Sequence, residues 1–374
     1  MIDKQIILLA GVMFITLLYA YERQNPIRKR RCVAAVTVVL TLFSGLRSWW
    51  MGDLIKYYTL YRNCTGPNWR DSVFGRVTNT GLRLFFHYGN LIGLSYELCV
   101  FIIAAFSAIT LGVLVFRYSP SPYWSYLVYI AMGFYLFTFS GLKQTIAMGF
   151  LCIAMIGVLE GNIWQFFIWT MIGALFHAPA LIFLGAYPFA RKKIDIIYVA
   201  LVLALIAFVF FFRNVMASWL SDMYYEDGEE YEMSRIFGGR FIMMVFILVV
   251  GCILRPLRRN DVVYSYVFNL MVLAAALQTF SIYGNNFTRL ADYYYQFVVL
   301  YIPLMLQPGA SQAAEDPSRA QEIRYYNGDV YFFLSIGVTI FSLWYFIGLV
   351  NSGNPLITGY RFFWQINAHA LYGA

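Results

Sequence analysis

The sequence predicts an all-α fold, a polytopic bundle of transmembrane helices, and three observations support this. The chain of 374 residues is 61% hydrophobic and 20% aromatic. Only 12% of its residues are charged, whereas soluble domains carry about 25%. Apolar runs near the roughly 20 residues that a helix needs to cross a bilayer recur along the chain. We therefore expect one integral membrane domain over residues 1–374.

Twelve membrane segments are predicted, two of them short. The interval from Asn162 to Ala190 supplies two of the twelve. Pro179 disfavours helix at the residue before it and suits the first turn of a new helix. One kinked helix over the same interval is the alternative, and it gives eleven segments. The twelve lie at 5–21, 32–47, 92–116, 123–140, 142–159, 162–177, 178–190, 194–213, 239–255, 262–283, 289–307 and 329–350.

The positive charges of the short loops predict how the chain is threaded through the membrane. Short loops rich in lysine and arginine favour the cytoplasmic side, and such loops lie at 22–31, 191–193 and 255–259. All three fall on one side only if the interval from Asn162 to Ala190 crosses twice. The break at Pro179 and the charge rule therefore favour the same threading.

This threading places both termini on the outer side, together with a basic, aromatic loop at 48–91 and an acidic loop at 214–238. Residues 308–328 become a cytoplasmic linker. A basic loop on the outer side departs from the preference of lysine- and arginine-rich loops for the cytoplasm, but long loops follow that preference less strictly. An anionic substrate would account for it. Because the basic residues are scattered among apolar segments, the net charge of +8 indicates lipid head groups rather than nucleic acid.

Five ionisable residues edge or interrupt apolar segments at the outer face, where charge is costly. They are Arg47, Asp53, Lys143, His177 and Arg289. A guanidinium binds phosphate oxygens in bidentate fashion, and the start of a helix attracts anions. The cations therefore indicate a site for an anionic, lipid-carried substrate. The alternatives are interfacial anchoring for Arg47 and Lys143 and a local ion pair between Arg289 and Asp292.

His177 is one of only three histidines and interrupts a long apolar stretch. A neutral imidazole accepts a proton from a hydroxyl near neutral pH. The alternative is a structural histidine bonded to a neighbouring carbonyl. A metal site is not expected, since no cluster of histidine, cysteine or carboxylate lies near it in sequence.

Trp49 and Trp50 lie close to Arg47 in sequence. Their rings suit stacking on a sugar ring or a lipid head group, or membership of the aromatic belt at the membrane surface.

Taken in order, these segments resemble the EpsG family of bacterial exopolysaccharide proteins, which is related to the Wzy O-antigen and capsule polymerases. One departure is that Lys143 stands where the family pattern leads us to expect arginine, and lysine cannot make a bidentate phosphate contact. The matching motifs are Arg47 with Gly52, Asp53 and Tyr57, the helix start from Lys143 to Ala147, Phe176-His177, and Arg289 with Tyr294.

The resemblance implies a lipid-linked glycan polymerase with a fold like that of GT-C glycosyltransferases. Such enzymes join repeat units of O-antigen, capsule or exopolysaccharide carried on polyprenyl diphosphate, at the outer face of the bacterial cytoplasmic membrane. The donor is already activated, so no cofactor is expected. The implied partners are the polyprenyl-diphosphate-linked oligosaccharide and membrane lipids, with a chain-length regulator and a flippase of the same pathway.

The resemblance also implies roles for single residues. Arg47, Arg289 and Lys143 would bind the diphosphate, and His177, or alternatively Asp53, would be the base. The residues implied to contact glycan are Trp49, Trp50, Tyr57 and Tyr294.

Three other functions compete with the polymerase. An O-antigen-ligase-type transferase would use the same donor with a different acceptor. A flippase or transporter of the same lipid would need charges deep in the bundle, whereas the five residues edge one face. A membrane O-acyltransferase would need acyl-CoA from the cytoplasm, whereas His177 is threaded outward.

Overall fold

A computed structural model of the chain describes residues 4–20, 25–48, 53–74, 79–193, 196–212, 215, 238–254, 261–283, 287–306, 330–352 and 360–365. Within these ranges the chain is helical and has no β-strand, so the predicted all-α class is confirmed. The α-helices are α1 Lys4–Ala20, α2 Pro26–Gly45, α3 Leu54–Thr65, α4 Trp69–Phe74, α5 Thr80–Leu91, α6 Tyr96–Tyr118, α7 Pro122–Ala131, α8 Phe134–Phe137, α9 Leu142–Glu160, α10 Ile163–Phe176, α11 Ala186–Arg191, α12 Ile196–Phe211, α13 Gly239–Leu254, α14 Val262–Gln278, α15 Thr288–Tyr295, α16 Val298–Leu306 and α17 Tyr331–Asn351. The 3-10 helices are Ala178–Gly185, Thr279–Tyr283 and Phe363–Gln365.

Four helices of the described chain are long and apolar enough to cross a membrane: α6, α9, α17 and the continuous helix Val262–Ser281 that contains α14. Shorter apolar helices cover Ile6–Leu17, Ile163–Phe176 and Gly239–Leu254. Within the most apolar 18-residue stretch of α9, 72% is buried inside the protein, whereas in the corresponding stretch of α17 only 17% is buried. We infer that α9 is central and that α17 lies at the lipid-facing surface. The expected number of membrane segments stays a prediction.

The interval from Asn162 to Ala190 forms a hairpin that turns at His177. Helix α10 runs up to the turn, and the 3-10 helix followed by α11 runs back. On return, the Arg191 guanidinium donates to the Val158 carbonyl at 3.1 Å, and the Tyr187 hydroxyl donates to the Gly161 carbonyl at 3.0 Å. The chain thus comes back to the end of the bundle from which it left, in agreement with the double crossing that the loop charges favour.

Other basic residues gather at this same end, which we call the basic end. The Lys29 ammonium donates to the Ser119 carbonyl at 2.6 Å. Arg117 pairs with Glu160 at 3.1 Å, at the last turns of α6 and α9. His177 and the starts of α9 and α15 lie at the opposite end, which we call the site end.

The segment expected to be a loop instead contains three packed helices, α3, α4 and α5, which we call the helical cap. Leu82 and Phe86 lie four residues apart on one face of α5, and both are fully buried. The His87 ring stacks on Trp69 at 3.8 Å, and its Nδ1 lies 3.0 Å from the Cys64 carbonyl. The difference from the prediction has a physical reason: burying the apolar face of a short amphipathic helix outweighs its polar composition.

The helical cap packs directly on the last turn of α10, next to His177. A Cβ atom at Gly81 would lie 3.0 Å from both the carbonyl carbon and the carbonyl oxygen of Leu175. Such a distance is too short for an ordinary carbon contact, so the backbones can approach this closely only because residue 81 is glycine.

We expect Gly81→Ala to destabilise the protein, because the added methyl group must push the cap away from α10. Overpacking of this kind costs about 1–3 kcal/mol. The measurement is the midpoint of thermal unfolding in detergent. The matched control is Gly337→Ala in α17, where a Cβ would meet nothing within 4 Å. Equal midpoints for the two variants would contradict the close packing of cap and bundle.

Candidate functional site

The site end of the bundle brings together three residues that the sequence singles out. Lys143 lies in the first turn of α9, His177 at the turn of the hairpin, and Arg289 in the first turn of α15. The His177 imidazole interacts electrostatically with both Lys143 and Arg289. We call these three residues the cationic cluster. The starts of α9 and α15 also lie here, and the free N–H groups of a helix start favour an anion.

His177 is 9% exposed and is held by Tyr293. The Tyr293 hydroxyl lies 2.7 Å from His177 Nδ1, close enough for a short hydrogen bond. Arg289 and Tyr293 are four residues apart on α15 and therefore share a helix face. One helix thus supplies both a cation of the cluster and the group that orients the imidazole.

Gln144, next to Lys143, connects α9 to α15. Its amide nitrogen donates to the Arg289 carbonyl at 3.4 Å. The other side-chain atom, Oε1, is buried and accepts no hydrogen bond from any described residue, and the same holds for the Thr145 hydroxyl. An unpaired buried polar atom costs about 1–3 kcal/mol. Gln144 Oε1 therefore offers hydrogen-bonding capacity beside the cationic cluster, whereas Thr145 lines a separate small cavity with Ser107 and Tyr129.

The helical cap adds Asp53 and Tyr57 to this end. Tyr57 is buried, contacts the Lys143 backbone, and interacts electrostatically with Asp53 and Arg289. The Asp53 side chain is 41% exposed and lies 3.8 Å from the Lys56 ammonium. Asp53 is thus a more solvated group than His177.

Arg47 is 3% exposed, and its guanidinium is bonded to the protein. It donates to the Phe139 carbonyl at 3.1 Å, to the Thr138 carbonyl at 2.8 Å, and to both the carbonyl and the hydroxyl of Ser44. Its electrostatic neighbours include Tyr96, Tyr135 and Tyr360. Arg47 therefore ties the end of α2 to the segment that leads into α9.

The tail of the chain closes over Arg47. The Ser48 amide donates to the Arg361 carbonyl at 2.7 Å, and the Phe363 amide donates to the Leu46 carbonyl at 3.0 Å. The Tyr360 ring stacks on Phe43 with centroids 4.2 Å apart. Residues 360–363 thus cover Arg47.

Tyr294, predicted to contact glycan, packs against the returning arm of the hairpin. The Tyr294 hydroxyl donates to the Ile182 carbonyl at 2.6 Å and its ring packs on Phe183. The neighbouring Tyr293, not singled out from the sequence, is the one that contacts His177. Other predicted features lie outside the described residues, namely Trp49, Trp50, the linker 308–328, and the loop 214–238 apart from residues 215 and 238.

Asp292 pairs with Arg240 and not with Arg289, which corrects the local ion pair weighed from the sequence. The carboxylate of Asp292 is 11% exposed and accepts a hydrogen bond from the guanidinium of Arg240, at the start of α13. Arg240 also lies over the Tyr295 ring at 5.6 Å, while Arg289 lies over the Phe137 ring at 5.5 Å. The local pair fails because tertiary packing turns the two side chains toward different partners.

We expect Asp292→Ala to lower stability strongly, because it leaves the Arg240 charge in the protein without its partner. Loss of one partner of a buried ion pair costs about 3–5 kcal/mol. The control is Glu160→Ala, which breaks an Arg117 pair whose side chains are 50% and 48% exposed. Exposed pairs contribute up to about 1 kcal/mol. The measurement is the midpoint of thermal unfolding of both variants in detergent. Similar decreases in the two midpoints would show that the Arg240–Asp292 pair contributes no more stability than an exposed pair.

The fold and the cationic cluster define a helical membrane protein whose polar site lies where helix ends meet. The sequence model of the EpsG family, a family of Wzy-type polysaccharide polymerase-like proteins, matches residues 30–312. The chain belongs to the EpsG family. The match includes every residue of the cationic cluster, the helical cap and Arg240. No curated protein and no solved structure matches the chain.

Proposed function

We propose that this protein polymerises oligosaccharide repeat units carried on polyprenyl diphosphate, as an inverting glycosyltransferase of the bacterial cytoplasmic membrane with its site facing outward. The observation that carries the proposal is the cationic cluster, in which the charges of Lys143 and Arg289 act on a buried imidazole at one end of a membrane bundle. Membership of the EpsG family supports a polysaccharide product. The threading predicted from the loop charges supports the outward orientation.

The reaction exchanges one glycosidic bond for another. An acceptor hydroxyl attacks the anomeric carbon of the donor, and a new carbon–oxygen bond forms with inversion. The bond between that carbon and the diphosphate oxygen breaks, and its electron pair leaves with the diphosphate. The hydroxyl proton passes to a base. The protein must therefore stabilise a developing anion and take up one proton.

Lys143 and Arg289 are proposed to hold the departing diphosphate. Arg289 can bind two oxygens at once, whereas the ammonium of Lys143 acts as a point charge. Tyr57, buried between Asp53 and the cluster, would contact the glycan, and the same role is proposed for Trp49 and Trp50 next to it in sequence. We propose that Tyr294 shapes the wall behind His177.

His177 is proposed as the base, oriented by Tyr293. If His177 Nδ1–H donates to the Tyr293 oxygen, Nε2 carries the lone pair that accepts the proton. Asp53 is the weaker candidate because its carboxylate is 41% exposed and adjoins Lys56. For Arg47, the hydrogen bonds to Ser44, Thr138 and Phe139 favour a positioning role over the direct diphosphate contact that the sequence predicts.

Two rival functions make different demands. A flippase needs polar groups along the depth of the bundle, and the location of the cluster at helix ends favours an enzyme. An O-antigen-ligase-type enzyme would use the same cluster and differ only in its acceptor.

The test is elongation by the purified protein in lipid nanodiscs. The substrate is the polyprenyl-diphosphate-linked repeat unit, extracted from cells in which the gene for this protein is deleted. We expect a ladder of longer lipid-linked glycans to form without nucleotide. Arg289→Ala is the negative control. A ligase-type enzyme would give no ladder but would transfer the unit to another acceptor. Movement of the lipid between leaflets without elongation would overturn the proposal.

A further inference from the structure

A polar cavity adjoins the cationic cluster, and none of its lining residues takes part in the proposed transfer. Its volume is about 240 Å³, and its walls come from the α7–α8 turn, α9, α13, α15 and α17. Phe137 forms one wall, and Arg289 of the cluster lies over the same ring at 5.5 Å. The cavity and the cationic cluster are thus neighbours across one aromatic ring.

The Arg240–Asp292 ion pair gives this cavity its polar surface. A paired guanidinium and carboxylate have no net charge, but they offer hydrogen-bond donors and acceptors together. The Tyr345 hydroxyl interacts electrostatically with both charges. Around the pair, Phe134, Phe137 and Tyr345 contribute aromatic rings.

We propose that this cavity binds the acceptor sugar, the ring that carries the attacking hydroxyl. A sugar ring is neutral, presents hydroxyls that donate and accept, and has an apolar face that packs on aromatic rings. The inference rests on the proposed glycosyl transfer. It places the two substrates on either side of Phe137, with the donor diphosphate at the cationic cluster and the acceptor at the ion pair.

The connection through α15 supports this placement. Asp292 borders the cavity, and the next residue, Tyr293, contacts His177 at 2.7 Å. An acceptor held by Asp292 therefore lies one residue along the helix from the group that orients the base. Arg289, three residues before Asp292, belongs to the donor site. Arg289, Asp292 and Tyr293 thus fix the positions of the donor, the acceptor and the base relative to one rigid helix, α15.

The competing occupant is the donor lipid itself, and the cavity suits it less well. A diphosphate would meet the Arg240–Asp292 pair, which has no net charge to attract an anion. The volume of about 240 Å³ lies just below the range of drug-sized ligand pockets, roughly 300–1,000 Å³, so a long polyprenyl chain exceeds it. A neutral sugar ring avoids both difficulties.

The experiment separates the two substrates. The acceptor probe is the free oligosaccharide released from the lipid-linked repeat unit by mild acid, and the donor is the intact lipid-linked unit. We expect Tyr345→Leu to raise the KM for the free oligosaccharide about tenfold, with the donor KM changed less than twofold. The matched control is Trp344→Leu on the same helix, since Trp344 is 68% exposed. This variant should behave like wild type.

Direct binding keeps this proposal distinct from the proposed function. Saturation-transfer NMR with the free oligosaccharide should show binding to wild type and to Trp344→Leu, and at least tenfold weaker binding to Tyr345→Leu. Binding without elongation by wild type would refute the polymerase and leave the sugar site standing. Elongation with an unchanged acceptor KM in Tyr345→Leu would refute the sugar site alone. A raised donor KM, or no oligosaccharide binding by wild type, would also overturn it.

Discussion

Arg289→Ala is expected to abolish polymerisation while leaving the protein folded and in the membrane. The guanidinium lies partly buried over Phe137 beside Lys143 and His177, and the variant removes the one residue of the cluster that can bind two diphosphate oxygens. Each lost charge-assisted hydrogen bond costs about 1.5–3 kcal/mol, roughly a ten- to hundredfold loss in rate. The measurement is the rate of glycan elongation in nanodiscs, normalised to protein in the membrane fraction.

Three further variants give this prediction its controls. Arg289→Lys should recover part of the rate, because lysine keeps the charge without the fork of donors. Arg62→Ala in the helical cap removes an exposed arginine and should leave the rate unchanged. Arg47→Ala should lose rate and thermal stability together, because its hydrogen bonds hold Ser44, Thr138 and Phe139. A normal elongation rate in Arg289→Ala would remove Arg289 from the site.

The part of the site that was predictable followed from a local rule. Charge at the edge of an apolar segment is costly, and this rule alone identified Lys143, His177 and Arg289, which the structure brings together. Arg240 obeys the same rule, since it starts α13, but it was not singled out beside the acidic loop. The sequence therefore also contained the signal that identifies Arg240, a charge at the edge of an apolar segment.

Pairings between distant residues were not predictable, because they depend on how helices rotate against one another. Asp292 lies three residues from Arg289, so a local pair was plausible, yet its partner is Arg240, 52 positions away in sequence. Tyr293 and Tyr294 differ by about 100° around α15. Only the packing of α15 decides that the first contacts His177 and the second contacts Ile182.

The helical cap shows a similar limit. Composition predicts a basic, aromatic outward loop at 48–91, and the i, i+4 spacing of Leu82 and Phe86 is the available sign of an amphipathic helix. What no local pattern contained was the docking surface, the last turn of α10 beside Gly81. This docking lies beside His177, and the same cap brings Tyr57, predicted to contact glycan, near the cationic cluster.

The role of His177 depends on which of its nitrogens carries hydrogen. Tyr293 is both a donor and an acceptor, and its hydroxyl lies 2.7 Å from Nδ1. If Nδ1–H donates to Tyr293, Nε2 accepts a proton and His177 is a base. If Tyr293 donates to Nδ1, Nε2–H can only donate, and His177 would stabilise the leaving diphosphate. The first arrangement predicts that the elongation rate falls when His177 is protonated, and the second predicts no such fall.

We expect His177→Gln to lower the elongation rate by about 10²–10⁴-fold, the range for loss of a general base. Glutamine keeps hydrogen bonding but cannot take up the proton.

The wild-type rate should fall as the solution is acidified, since an imidazolium cannot accept a proton. We call this fall the acid limb of the pH profile, and it should be absent from the residual activity of His177→Gln. Tyr293→Phe should keep the acid limb and lose only a few-fold in rate, in line with about 1 kcal/mol for one neutral hydrogen bond. The measurement is the pH dependence of elongation by wild type and both variants, followed on the acid side to the lowest pH at which the protein stays folded. A His177→Gln enzyme with substantial activity and the acid limb of wild type would instead assign His177 as a donor to the diphosphate. Asp53→Asn distinguishes the remaining candidate, because a carboxylate base would leave the acid limb intact in His177→Gln and remove it in Asp53→Asn.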